Sequence, residues 1–184
     1  MKNSLIIIAA LESEINSNSL FHHIPIIYSG IGKINATLAT VKAIAQFNPS
    51  LIINYGTAGK INPTISGLVK INRVLQRDMQ AEPLAPRGTV PFSTKPNVYI
   101  SNSLGHTCAT GDSFVTQHDE WLIEHNVDLV DMELFAIAAV AHEYNLPWLS
   151  FKHISDDANQ DSGKEWSNRV HLGEEAFWNE LKAL

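Results

Sequence analysis

The sequence predicts one α/β domain, residues 1–184, built on a mixed central sheet. Three observations carry this. The apolar run 5–10 shows no helical period, as expected of a strand buried on both faces. Two further strand-like segments run into small-residue turns, Ser29-Gly30-Ile31-Gly32 and Gly56-Thr57-Ala58-Gly59, where glycine lets backbone and ligand approach closely. Residues 127–160 then read as strand, helix and strand. A chain of 184 residues is long enough for one sizeable core and short for two.

Taken in order, the strand 5–10 leads into Leu11-Glu12-Ser13-Glu14, and a second strand covers 24–28. A helix follows over 33–46, Pro49 punctuates, and a third strand, 51–55, closes on the turn 56–59. A strand at 69–75 precedes 76–92, whose Pro83, Pro86, Arg87-Gly88 and Pro91 suit a long loop. Short strands at 98–101 and 106–110 flank Gly105, and 117–124 is helical. In the strand–helix–strand unit, Asp131 and Glu133 stand where the first strand becomes the helix, and Asp156 and Asp157 end the second. Its two strands are expected to run parallel, so that their C-terminal ends meet at one sheet edge, where open α/β folds place ligands. An amphipathic helix over 170–184 closes the fold.

The composition excludes several functions. Hydrophobic residues make up 45% and charged residues 17%, as in a globular chain, and the net charge of −6 argues against a nucleic-acid or anionic-membrane surface. A small neutral or cationic ligand is expected instead. The opening apolar run is too short for a signal-peptide core or a membrane span, and the single Cys108, expected to be a buried inert thiol, requires no oxidising compartment. Cytoplasmic placement is the expectation. The histidines show no HExxH, His22-His23 lacks companion ligands, and no metal is expected. The turn Gly30-Ile31-Gly32 has Asn35 where a dinucleotide loop needs glycine, and no P-loop occurs. No cofactor is therefore implied.

Carboxylates carry the chemistry. Glu133 and its neighbours begin an apolar, buried helix, where an acidic residue either caps the helix or faces a partner or ligand. Lys152 and His153 interrupt the core-like run 148–154, and a polar pocket at the sheet edge answers their need for partners. If the first strand is central, Glu12 and Glu14 join the same cleft. Such a site suits general acid/base catalysis, with one carboxyl protonated and another ionised.

The segments Ala9-Ala10-Leu11-Glu12-Ser13-Glu14, Ser29-Gly30-Ile31-Gly32-Lys33, Asn54-Tyr55-Gly56-Thr57-Ala58-Gly59, Thr110-Gly111-Asp112-Ser113-Phe114-Val115, Val130-Asp131-Met132-Glu133 and Ile154-Ser155-Asp156 together resemble the purine nucleoside phosphorylase superfamily, closest to its methylthioadenosine/S-adenosylhomocysteine nucleosidases. They occur in family order over nearly the whole chain. The resemblance implies a three-layer α/β/α fold, a homodimer, and cleavage of the N-ribosidic bond of a purine nucleoside. It implies that Asp156, oriented by Ser155, protonates purine N7, that Glu133 holds the ribose hydroxyls beside Met132, and that Glu14 activates water. Phe114 and Val115 would wall the base, Thr57 and Ile31 would line the ribose region, and Trp166 would lie over the base. Asp131 and Asp157 become supporting residues.

Phosphorylases of this kind carry a Gly- and Arg-containing phosphate loop after the first strand. Here Glu12 and Glu14 would repel phosphate and no Arg precedes Arg73, which points to hydrolysis. The segments 75–79, 83–84 and 91–92 stand where the family builds its 5′-substituent pocket, often with a second subunit. Arg77 there either pairs with Asp78 or another carboxylate, or reads a polar or anionic 5′ group, as in a nucleotide. Lys152 stands where these nucleosidases commonly have Arg, replacing a fork of donors by a point charge.

Overall fold

The structure, a computed structural model, describes residues 4–16 and 21–183; residues 1–3 and 184, at the ends of the expected single domain and closing helix, lie outside these. The chain runs β1 (Leu5–Ala9), β2 (Ile26–Tyr28), α1 (Lys33–Phe47), β3 (Leu51–Lys60), β4 (Leu68–Gln76), β5 (Val98–Ile100), β6 (His106–Thr110), α2 (Glu120–Glu124), β7 (Leu129–Asp131), α3 (Leu134–Glu143), β8 (Trp148–Asp156), α4 (Ser162–Arg169) and α5 (Glu174–Lys182). It is a mixed α/β fold, as the sequence predicts.

Side-chain alternation along the strands makes three layers. Ile6 and Ile8 of β1 and Ile52 of β3 pack with Ala36 and Ile44 of α1 and Leu134, Ile137 and Ala141 of α3. Ile7, Ala9, Ile53 and Tyr55 face the other way and meet Phe177, Trp178 and Leu181 of α5. The α1 helix ends at Asn48, whose φ of 44° and N–H bond to Ile44 O close it before Pro49.

The strands follow the order β2-β1-β3-β7-β6-β4-β5, and β8 pairs with both β3 and β4. Five of them, β3, β7, β6, β4 and β8, therefore form a closed ring. This corrects the expected side-by-side parallel unit. β8 runs parallel to β3, whereas β7 runs antiparallel to it, so β7 and β8 are opposed and lie on either side of β3. The acidic clusters still meet, because Gly59 of β3 pairs with Val130 on one side and Asp156 on the other.

The expected turn at 56–59 is also corrected: β3 continues to Lys60. Its glycines supply space rather than a bend. A Cβ on Gly56 would stand 3.3 Å from both Glu14 Oε1 and Lys152 Nζ, and one on Gly59 would stand 2.6 Å from Asp156 Oδ1. The closing helix is broken too. Gly173 separates α4 from α5, and a Cβ there would collide with His153 and the Tyr55 hydroxyl, at 2.4 and 2.6 Å. Helix α2 is shorter than expected because Asp119, held by both terminal nitrogens of Arg87, caps it by accepting from Trp121 N.

Candidate active site

One cavity opens where the ring strands converge, and eleven of the twelve residues expected to catalyse or to bind substrate line it: Glu14, Ile31, Thr57, Arg77, Phe114, Val115, Met132, Glu133, Ser155, Asp156 and Trp166. Lys152 is the exception, fully buried beneath the wall. Glu12 does not join them; its side chain is exposed on the turn after β1. Asp157 turns outward and pairs with Lys60 at 3.0 Å.

Glu14 is held from two elements. Its Oε2 accepts from the N–H groups of Ala10 and Leu11, at 3.0 and 3.1 Å, where β1 turns over. Its Oε1 accepts from Thr57 N at 3.0 Å and Thr57 Oγ1 at 2.9 Å. The indole N–H of Trp166 in turn donates to Thr57 Oγ1 at 2.9 Å. This ties Trp166 to the Glu14 end of the cavity.

Asp156 sits at a bulge. Register between β3 and β8 slips after Ala58↔Ile154 to Gly59↔Asp156, leaving Ser155 as the extra residue. The Ser155 hydroxyl donates to Asp156 Oδ2 at 2.8 Å, and Ala158 N–H donates to Oδ1 at 3.0 Å.

Glu133 precedes α3 but makes no side-chain cap bond to it. Asp131 does that work, its Oδ2 accepting from Leu134 N at 2.9 Å. Glu133 instead reaches across to α1, where Oε1 accepts from Gly32 N–H at 2.9 Å. A second carboxylate, Asp112, accepts from Lys33 N–H at 2.8 Å, so two acids face the positive end of α1. Burial and the adjacent Asp131 charge push the Glu133 carboxyl up to about 7.

Asp131 pairs with Lys152 at 2.7 Å, both side chains essentially sealed from solvent, and Thr110 Oγ1 donates to Asp131 Oδ1 at 2.6 Å. Burial raises the Asp131 pKa, but the Lys152 charge and the bonds from Lys152, Thr110 and Leu134 outweigh this and hold it below the usual carboxylate range. For Lys152, burial pulls the other way, and the charges of Asp131 and Glu133 keep it above the ordinary lysine range. The polar pocket thus explains Lys152 only. His153, next in the strand, faces the opposite layer beside Gly173.

Arg77 forms no ion pair with Asp78 or another carboxylate among the described residues; Asp78 is taken by Lys33 at 2.5 Å. The guanidinium lies across Gly111 and donates to the carbonyls of Gly111 and Ser113 and to Ser113 Oγ, next to the Phe114-Val115 wall. Arg77 is the sole contribution of segments 75–79, 83–84 and 91–92 to the cavity, while Leu84 and Phe92 project into solvent. Ser113 and Gly59 line the cavity without having been given a role by sequence, and Asp131, expected only as a supporting residue, lines it too. Of these, Asp131 carried a signal, as a second carboxylate beside Glu133 with a lysine in the strand that follows in sequence.

A family model described as the phosphorylase superfamily matches residues 18–182. The chain belongs to that superfamily. Within it, the chain is 30% identical to the 5′-methylthioadenosine/S-adenosylhomocysteine nucleosidase of Listeria innocua, covering 78% of this chain and 73% of the relative. It is 31% identical to the enzyme of the same description from Staphylococcus haemolyticus, covering 71% and 67%. A Helicobacter pylori MTAN mutant, solved with 5′-methylthioadenosine in its active site, superimposes with a TM-score of 0.87 over 100% of both chains at 21% identity. Futalosine hydrolase of Helicobacter pylori superimposes with a TM-score of 0.82 over 93% of each chain at 20% identity.

Proposed function

We propose that this superfamily member hydrolyses the N-ribosidic bond of a purine nucleoside, with 5′-methylthioadenosine, S-adenosylhomocysteine or a related 5′-modified adenosine as substrate. The observation that carries the reading is the convergence of Glu14, Glu133 and Asp156 in one cavity. The curated relatives named for this activity support it.

Asp156 gives a proton to purine N7 as the C1′–N9 bond breaks and its electron pair passes to the base. The ribosyl group becomes cationic at C1′, and Glu133, on the ribose hydroxyls beside Met132, stabilises it as an anion. Water adds to C1′ and yields its proton to Glu14. Three backbone N–H groups fix the Glu14 carboxylate, and the Thr57 hydroxyl occupies the fourth acceptor site, which the attacking water takes when that hydroxyl turns. A proton returns from Glu14 to Asp156 through solvent, closing the cycle. Phe114 and Val115 wall the base, Ile31 lines the ribose region, and Lys152 acts from beneath. Hydrolysis rather than phosphorolysis follows from the turn after β1, whose N–H groups are spent on Glu14 rather than left for phosphate.

The functional unit in this reading is one nucleosidase domain over 1–184 working as a homodimer in the cytoplasm, without nucleic-acid or membrane partners. No helix among the described residues is long and apolar enough to cross a membrane. The Cys108 thiol is free and buried, and burial raises its pKa well above the usual range. The exposed Ile34, Leu38 and Val41, at helical spacing on α1 and continuous with Ile31 at the cavity, offer an apolar stripe to a second copy.

The test is base release from a panel including methylthioadenosine, S-adenosylhomocysteine, futalosine, adenosine and inosine, with and without phosphate. Adenine release without phosphate from the 5′-thio substrates is expected. Strictly phosphate-dependent release, or none from the whole panel, would overturn the proposal.

A further inference from the structure

We infer that Asp131 and Lys152 form a positioning pair that decides which of two neighbouring carboxyl groups, Asp131 or Glu133, carries the negative charge before substrate enters. The inference rests on the reading of Glu133 as the group that holds the ribose. Neither Asp131 nor Lys152 needs to touch the reacting atoms.

Asp131 and Glu133 are two residues apart, line the same cavity, and are only 6% and 8% exposed. Charge on both at once is costly in such a site, so the two titrate as a unit. Their partners are unequal. Asp131 accepts from Lys152 Nζ, Leu134 N and Thr110 Oγ1, whereas Glu133 accepts only from Gly32 N–H among the described residues. The Thr110 hydroxyl cannot turn away easily, because its oxygen accepts from Phe135 N–H at 2.9 Å and its proton points to Asp131.

The charged groups around Glu133 come from every packed element. Asp131 and Lys152 approach from β7 and β8, Glu14 from the turn after β1, and the N-terminus of α1 presents Gly32 N–H. Asp156 and Arg77 line the same cavity. Lys152 also lies near Glu14, since one Cβ position on Gly56 would touch both at 3.3 Å. Asp131 thus takes the charge and Glu133 remains the group that gains or loses a proton near neutrality, as its shift to about 7 agrees. A protonated Glu133 donates to one ribose hydroxyl and accepts from another. The ionised form is the better stabiliser of a cationic ribosyl group.

The kcat/KM of the wild-type protein should therefore fall on the acid side with a limb near pH 7. Asp131→Asn removes the like charge and should move that limb down by about one pH unit or more. Lys152→Arg keeps the cation and should leave it in place. A purely structural role would lower the plateau without moving the limb, and an unmoved limb in Asp131→Asn overturns the inference. A carbon-13 NMR titration of side-chain carboxyls reads the same property without turnover. One Glu signal titrating near pH 7, lost in Glu133→Gln, supports the inference even if no nucleoside is cleaved, in which case the functional reading alone fails. Asp131 titrating near neutrality while Glu133 stays ionised overturns it, and this wild-type measurement decides the matter if Asp131→Asn does not fold.

Discussion

Gly59 leaves Asp156 its place: a Cβ on Gly59 would stand 2.6 Å from Asp156 Oδ1, inside any tolerable contact. The backbone cannot withdraw, because Gly59 is paired with β7 on one side and β8 on the other. Gly59→Ala should therefore displace the Asp156 carboxyl rather than β3. Turnover is expected to fall by about two orders of magnitude, the size of a lost general acid, with near-native circular dichroism. Turnover within about threefold of wild type would mean that the carboxyl relaxes without losing its function.

Asp156→Asn separates the proton from the shape. An asparagine oxygen still accepts from Ser155 or Ala158, but the side chain cannot deliver an acidic proton to N7. Base release should drop by about two orders of magnitude or more, while substrate-analogue binding by calorimetry stays within about tenfold. Near-normal release would remove Asp156 from the mechanism.

Glu133 makes the protein's stability depend on pH. Its folded-state pKa of about 7 lies above the ordinary glutamate value of 4.5, so the folded chain holds a proton that the unfolded chain has lost between those values. Its stabilising contribution is full below pH 4.5 and is lost as pH rises through about 7. Glu133→Gln keeps an acceptor for Gly32 N–H and removes the charge. At pH 8 it should be more stable than wild type by up to about 3 kcal/mol. The gap should narrow to below about 1 kcal/mol at pH 5. Urea melts at the two pH values measure it, and a gap independent of pH would contradict the assignment.

The α1 stripe predicts the assembly. Leu38 is 54% exposed between Ile34 and Val41, so Leu38→Glu should cost the single chain little stability and disrupt a dimer that uses this face. Light scattering on size-exclusion fractions should show dimeric wild type and a monomeric variant. A monomeric wild type would dismiss the homodimer.

What the sequence revealed and what it hid have physical reasons. The apolar runs of β1 and β8 and the apolar helix α3 were legible because each is buried as its composition predicts. Helix α4 was not, since Ser162–Arg169 is polar apart from Gly163 and Trp166 and only Ser162 of it is buried. The glycines of β3 looked like a turn because residue type alone does not distinguish a bend from a need for room, and that need arises from side chains far away in sequence. The same holds at the cavity. Glu14, Glu133 and Asp156 stand in ordered motifs, but what Asp131 supports became legible only through its bonds to Lys152 and Thr110. The reversed direction of β7 was hidden because a strand of three residues carries no directional pattern.

The closed ring also bears on how copies of this chain avoid one another. Ring strands have no free row of N–H and C=O groups, and the sheet's outer members among the described residues are β2 and β5, each three residues long. Edges that short give an incoming strand almost nothing to add to. The apolar richness of strands such as β1 can therefore be kept without inviting fibre-like stacking, and assembly is left to side-chain surfaces on helices, where a single substitution can tune it.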